Sequence, residues 1–214
     1  MNGKTALVLG ASGLVGNHLL QLLLESEFEK IWVVVRKALP IQHSKLIQII
    51  NDFERLQSIE ITEKVNVLFS CLGTTRAKTP ELNAYKKIEV DIPAYFIQML
   101  IPQGLEQVHY ISAIGVKPNA KNFYLNLKAQ AEEMIMNTVV NTIYIYRPSL
   151  IIGDRKEKRF MESLAGNVFT LINPLLFGKA KKYRSIAAKD IAQKMLYNAI
   201  HTQTGKHIVY FDGK

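Results

Sequence analysis

The stretch Thr5 to Gly16, TALVLGASGLVG, limits what this chain can become more than any other. Thr5 to Leu9 is β-branched or apolar without polar alternation. That reads as a strand buried on both faces, as occurs in parallel sheets covered by helices on each side. Glycines follow at positions 10, 13 and 16, and an amphipathic helix is expected over about Leu14 to Glu25. A sharp strand-to-helix reversal, a backbone approach to a phosphate and close helix packing each call for a residue without Cβ. Gly10, Gly13 and Gly16, the free backbone N–H groups of Leu14 and Val15 at the positive end of the helix, and the Ser12 hydroxyl are therefore candidate contacts to a nucleotide. The spacing G-x-x-G-x-x-G is looser than G-x-G-x-x-G, and an ordinary tight turn is the competing reading.

Beyond this turn, strand and helix patterns alternate. Strands are expected at Lys30–Val35, Lys45–Ile50, Lys64–Ser70, Gln107–Ile111, Thr142–Tyr146 and Lys206–Phe211, with helices between most of them. The pattern predicts one domain over residues 1–214: an α/β, doubly wound, mostly parallel sheet with strand order 3-2-1-4-5-6-7 and helices on both faces. A helix is expected to start at Thr79-Pro80-Glu81 and run toward Leu100 with a bend at Pro93. Residues 154–188 are expected to form a small substrate-side or lid region.

In such a sheet, ligands lie beyond the carboxyl ends of the strands. The second strand ends in Arg36-Lys37 with no acid nearby. An acid there would hold a ribose 2′-hydroxyl, whereas cations suit a 2′-phosphate, so NADP(H) is expected in preference to NAD(H). Two solvated loop cations are the alternative. Past the third strand, Asp52 and Phe53 either border the adenine or, in the case of Asp52, cap the turn that follows. Cys71, Leu72, Gly73 and Thr74 follow the fourth strand, where backbone is expected to pass close to the dinucleotide. Pro148 ends the sixth strand where the nicotinamide edge should rest.

The fifth strand delivers Ser112 to its carboxyl end, and the next helix carries Tyr124 and Lys128, four apart and so on one face. Reducing a carbonyl requires a hydride and a proton on the developing alkoxide. Tyr124 is the candidate proton donor, and a cation one turn away stabilises phenolate and lowers a phenol pKa from its free value of about 10. Lys128 is expected to do this while holding the nicotinamide ribose, and Ser112 to hold the carbonyl oxygen.

Lys and Arg number 27 against 18 Asp and Glu, a net charge of +9. Nine of these cations and three acids lie between Gly153 and Lys189. That is either a mouth attracting an anionic ligand or a basic solvated surface, and no motif accompanies it that would suit nucleic acid. A single cysteine, Cys71, rules out an internal disulfide, and no histidine spacing suits a metal. No apolar run reaches the length of a membrane span, and no leader pattern precedes the first strand, so the expected location is the cytoplasm.

The chain resembles the atypical branch of the short-chain dehydrogenase/reductase superfamily that includes the Tat-interacting-protein-like oxidoreductases. The resemblance covers nearly the whole chain. It rests on GASGLVG, CLGTTR at Cys71–Arg76, Val90-Asp91, the FYL around Tyr124, YRP at Tyr146–Pro148 and the D-R-x-E-x-R run at Asp154–Arg159. It implies a Rossmann core binding NADP(H), a Ser-Tyr-Lys site on Ser112, Tyr124 and Lys128, and turnover of a small carbonyl or alcohol, with homodimers common among relatives. Relatives often carry two adjacent hydroxyl residues after the fifth strand, whereas Ala113 follows Ser112 here. The alternatives are an NADP(H)-binding regulator or sensor without turnover and an epimerase or dehydratase acting on a nucleotide sugar.

Overall fold

The computed structural model describes residues 3–75, 77–153 and 183–212. Seven parallel strands form one sheet in the order β3-β2-β1-β4-β5-β6-β9. They are β1 (Thr5–Leu9), β2 (Lys30–Val35), β3 (Leu46–Ile50), β4 (Val67–Ser70), β5 (Gln107–Ile111), β6 (Thr142–Arg147) and β9 (Gly205–Tyr210). This is the predicted Rossmann architecture, with the closing strand at the edge. A separate parallel pair, β7 (Ile151–Ile152) with β8 (Ile186–Ala187), brings the strands among the described residues to nine. There the Ile186 amide donates to the Leu150 carbonyl at 2.9 Å, and the Ser149 hydroxyl donates to the Arg184 carbonyl.

Alternation along each central strand divides the apolar residues between two cores. Ala6, Val8, Ile31, Val33, Val67 and Phe69 face helices α1 (Leu14–Leu24) and α5 (Ala188–Ile200), which bury Leu19, Leu20, Leu23, Ile191 and Met195. Leu7, Leu9, Val34, Leu68, Val108 and Ile143 face α3 (Ile92–Leu100) and α4 (Phe123–Met136), which bury Phe96, Ile97, Leu127, Ala131 and Ile135. With both faces covered, the strands need no polar alternation, and this is why they read as continuous apolar runs.

The helix expected from Thr79 to Leu100 divides into three parts. Glu81 caps α2 (Leu82–Lys86) by accepting from the Ala84 amide at 3.4 Å, while the Thr79 hydroxyl bonds Thr74 Oγ1 at 2.7 Å. Lys87–Asp91 is then a turn of π-helix, and α3 follows. The cause is Pro93. It has no N–H for the carbonyl four residues earlier, and its ring crowds that carbonyl, which belongs to Glu89. The hydroxyl of Tyr110 on β5 donates to the Glu89 carbonyl at 3.1 Å instead.

Candidate active site

The turn after β1 meets two of the three demands read from the sequence, the sharp reversal and the close helix packing. Gly10 has φ +80°, and a Cβ there would lie 2.6 Å from the Cys71 carbonyl oxygen. A Cβ on Gly16 would lie 2.1 Å from the Gly10 oxygen, so the first turn of α1 can seat against the loop only as glycine. The N-terminus of α1 has no side-chain cap, which leaves the N–H groups at Leu14, Val15 and Gly16 without a side-chain acceptor, and Ser12 is exposed beside them. An uncapped helix start behind a narrow turn is the physical requirement of a pyrophosphate seat.

Around this turn the strand ends bring Cys71, Leu72, Gly73, Thr74 and Pro148 to the same end of the sheet. Arg36 and Lys37 follow β2, are exposed, and make no ion pair among the described residues. Asp52 and Phe53 differ from the adenine-bordering reading. Asp52 Oδ1 accepts from the Glu54 amide at 2.9 Å, closing a local turn. Phe53, at φ +65°, is buried in the core beside Trp32 and Ile59. Burial pushes the Cys71 thiol up to about 12, although the Lys128 charge pulls it down, and a thiol in that state is a packing group. Arg76 and the D-R-x-E-x-R run at Asp154–Arg159 lie outside the described residues, as do most of the basic stretch and the expected lid.

Asn122 caps α4 by accepting from the Leu125 amide at 3.1 Å, and the helix then sets Tyr124, Lys128 and Glu132 along one face. Tyr124 is partly exposed, its hydroxyl has no hydrogen-bond partner among the described residues, and its ring meets Tyr85 edge-on at 6.4 Å. Lys128 is 3% exposed. Its Nζ donates to the Ile111 carbonyl at 2.7 Å and the Tyr110 hydroxyl at 3.1 Å, and it pairs with Glu89 Oε2 at 2.8 Å. Two of the three ammonium protons are thus placed on neutral oxygens, and the contact with Glu89 is an ion pair. Burial would lower the Lys128 pKa, but Tyr110, Glu89 and Tyr124 outweigh it and hold the pKa well above the ordinary lysine value.

Glu89, with its side chain 0% exposed, is the residue the sequence reading missed. Its Oε1 accepts from the Thr74 amide at 3.0 Å, so one carboxylate ties the loop after β4 to α4. Removing one partner of such a pair strands a charge, at a cost of about 3–5 kcal/mol, whereas the exposed Lys30–Glu63 and Lys64–Glu106 pairs each contribute about 0–1. The only sequence signal for Glu89 is weak: it and Asp91 alternate with Ile88, Val90 and Ile92 just before a proline, and nothing separates the buried acid from the exposed one.

Ser112 is also buried, 3% exposed, and its hydroxyl donates to Glu132 Oε1. Arg147 fixes that carboxylate through Nε at 3.0 Å and Nη2 at 2.5 Å and donates from Nη1 to Tyr210 at 2.8 Å. A hydroxyl has one proton to donate, so Ser112 as it stands has none for a carbonyl oxygen. The expected lowering of the Tyr124 pKa is not what results. Burial raises it, Lys128 lowers it in part, and Glu89 raises it again, leaving the phenol above its ordinary value.

The NAD dependent epimerase/dehydratase family matches residues 6–214. "Protein FMP52, mitochondrial" of Saccharomyces cerevisiae is 29% identical over 218 residues, covering 99% of this chain and 92% of its own. "Protein HTATIP2" of Rattus norvegicus is 27% identical over 174 residues, 79% of this chain and 72% of its own. Among solved structures, MoeE5 in complex with UDP-glucuronic acid and NAD superposes with a TM-score of 0.73 at 17% identity, over 96% of this chain and 75% of that one. The expectation of a cytoplasmic protein is overturned, because FMP52 proteins from several organisms are named mitochondrial. A lone cysteine fits any reducing compartment and does not single out the cytoplasm. No helix among the described residues is long and apolar enough to cross a membrane.

Proposed function

This chain belongs to the NAD dependent epimerase/dehydratase family, and from that premise we propose an NADP(H)-dependent oxidoreductase acting on a small carbonyl or alcohol, with Tyr124 as its proton carrier. Arg36 and Lys37 hold the 2′-phosphate, and the uncapped start of α1 holds the pyrophosphate. The bound dinucleotide supplies or accepts the hydride. The observation that carries this reading is Tyr124, partly exposed and with no hydrogen-bond partner for its hydroxyl among the described residues, one helical turn before a buried ammonium.

A phenol with a raised pKa keeps its proton at neutral pH, which suits donation to a developing alkoxide more than abstraction from an alcohol. Ser112 steadies Glu132 and, through it, the ends of β5 and β6. Tyr124 is then the hydroxyl left to meet the carbonyl oxygen. The names of the FMP52 relatives support a mitochondrial setting for this activity.

Tyr124→Phe, assayed with NADPH against a panel of aldehydes and ketones, is expected to lose at least about a hundredfold in kcat with NADPH affinity within twofold of the parent. Full activity in that variant overturns the reading. A second reading, an NADP(H)-binding regulator without turnover, draws on the Ser112 hydroxyl being held by Glu132. It prevails if the parent turns over no carbonyl while NADPH alters its affinity for a partner.

A further inference from the structure

Glu89 has no solvent contact, and its carboxylate is held from two elements at once: Oε1 accepts a hydrogen bond, while Oε2 makes an ion pair without an aligned hydrogen bond. Thr74 N–H lies 3.0 Å from one oxygen and Lys128 Nζ 2.8 Å from the other, while Tyr110 bridges Lys128 to the Glu89 main chain. The Tyr85 hydroxyl donates to the Thr74 carbonyl at 3.0 Å, and its ring packs on Tyr124, so the same loop also borders the phenol. We propose that Glu89 is a positioning residue for proton transfer: it anchors Lys128 and the loop after β4 together and offsets the ammonium charge felt by Tyr124, so that the phenol holds its proton more firmly than it would beside the ammonium alone.

The inference rests on Tyr124 being the proton carrier. Among the described residues, the charged and titratable groups around that phenol are Lys128 on its own helix, Glu89 from the π-helical turn, Tyr110 from β5 and Tyr85 from α2. Cys71, at the end of β4, faces Lys128. Lys128 favours phenolate and Glu89 opposes it. Without Glu89, the ammonium acts alone. Lys128 has three protons and hydrogen-bonds two oxygens, those of Ile111 and Tyr110, beside its ion pair with Glu89.

The test is a titration of the full chain without cofactor, with 13C-labelled tyrosine followed by NMR and the Tyr124 signal identified by its loss in Tyr124→Phe. Glu89→Gln keeps the shape and removes the charge, and the Tyr124 midpoint is expected to fall by about one pH unit or more. An unchanged midpoint in the folded variant overturns the proposal, because a purely structural role leaves the titration where it was. If Glu89→Gln fails to fold, Glu89→Gln with Lys128→Met is titrated instead. A midpoint near the parent's is expected, since opposing charges have both gone. A rise of more than about one unit shows that only Lys128 was felt and overturns the proposal. The titration does not depend on turnover, so an active Tyr124→Phe enzyme sinks the catalytic reading separately from this one.

Discussion

At the residue scale, the two cations after β2 and the helix face on α4 were the most legible parts of the site, because both depend on spacing within a single element. Arg36 and Lys37 stand exposed after a buried strand, with no ion-pair partner among the described residues. Arg36→Ala is expected to weaken NADPH binding about tenfold or more and NADH binding less than threefold, measured by fluorescence titration of each. Equal losses remove the basis for preferring NADP(H). Tyr124 and Lys128 could be paired from sequence because i and i+4 share a face. Their electrostatic setting could not, because Glu89 comes from a different element and its effect opposes that of Lys128. Ser112 was legible as a strand-end hydroxyl, but its partner, Glu132, lies two helical turns beyond Tyr124 on α4.

At the element scale, α1 and the main-sheet strands other than β4 were readable to within a residue or so, since burial on both faces leaves a continuous apolar signature; β4 starts three residues later than expected, and the short β7 and β8 left no such signature. The segment from Thr79 to Leu100 was not, and Pro93 explains why. A proline predicts a kink, but whether the helix bends, breaks or widens depends on what accepts or donates at the carbonyl it releases. Here Tyr110 supplies the donor, and the π-helical turn that results points Glu89 inward. Pro93→Ala restores an N–H that competes for the Glu89 carbonyl and draws the turn toward α-helical register. Amide exchange at Thr74, whose N–H Glu89 accepts, is expected to speed up by about tenfold with the global stability little changed. Unaltered exchange at Thr74 shows that the inward carboxylate does not depend on the proline.

At the scale of the whole molecule, a polar cluster crosses the sheet beneath α5 on the face away from Tyr124. His109, fully buried on β5, bonds the Tyr146 hydroxyl at 2.9 Å and Gln107 Oε1 at 3.1 Å, while Asn198 of α5 donates to the same hydroxyl at 3.0 Å. Burial, with the Lys4 charge, lowers the His109 pKa to about 3, so the imidazole is neutral in the folded protein. Its contribution to stability is present in full above about pH 6.5, the value in an unfolded chain, and is lost as pH falls toward the folded value. Denaturant unfolding is expected to show stability falling by about 1.4 kcal/mol per pH unit from this group over that window, and the slope to shrink by that amount in His109→Asn. An equal slope in both proteins excludes His109 as the source. Nothing in the sequence marked this histidine, because one polar residue in an apolar strand reveals neither its depth nor its neighbours.

The short β7–β8 pair also sets a distance. By latching Leu150–Ile152 to Arg184–Ala187, it ties the chain that leaves β6 to the chain that enters α5. Two segments more than thirty positions apart in sequence are thereby held side by side, so a shift of α5 along its axis is transmitted directly to the residues that follow Pro148.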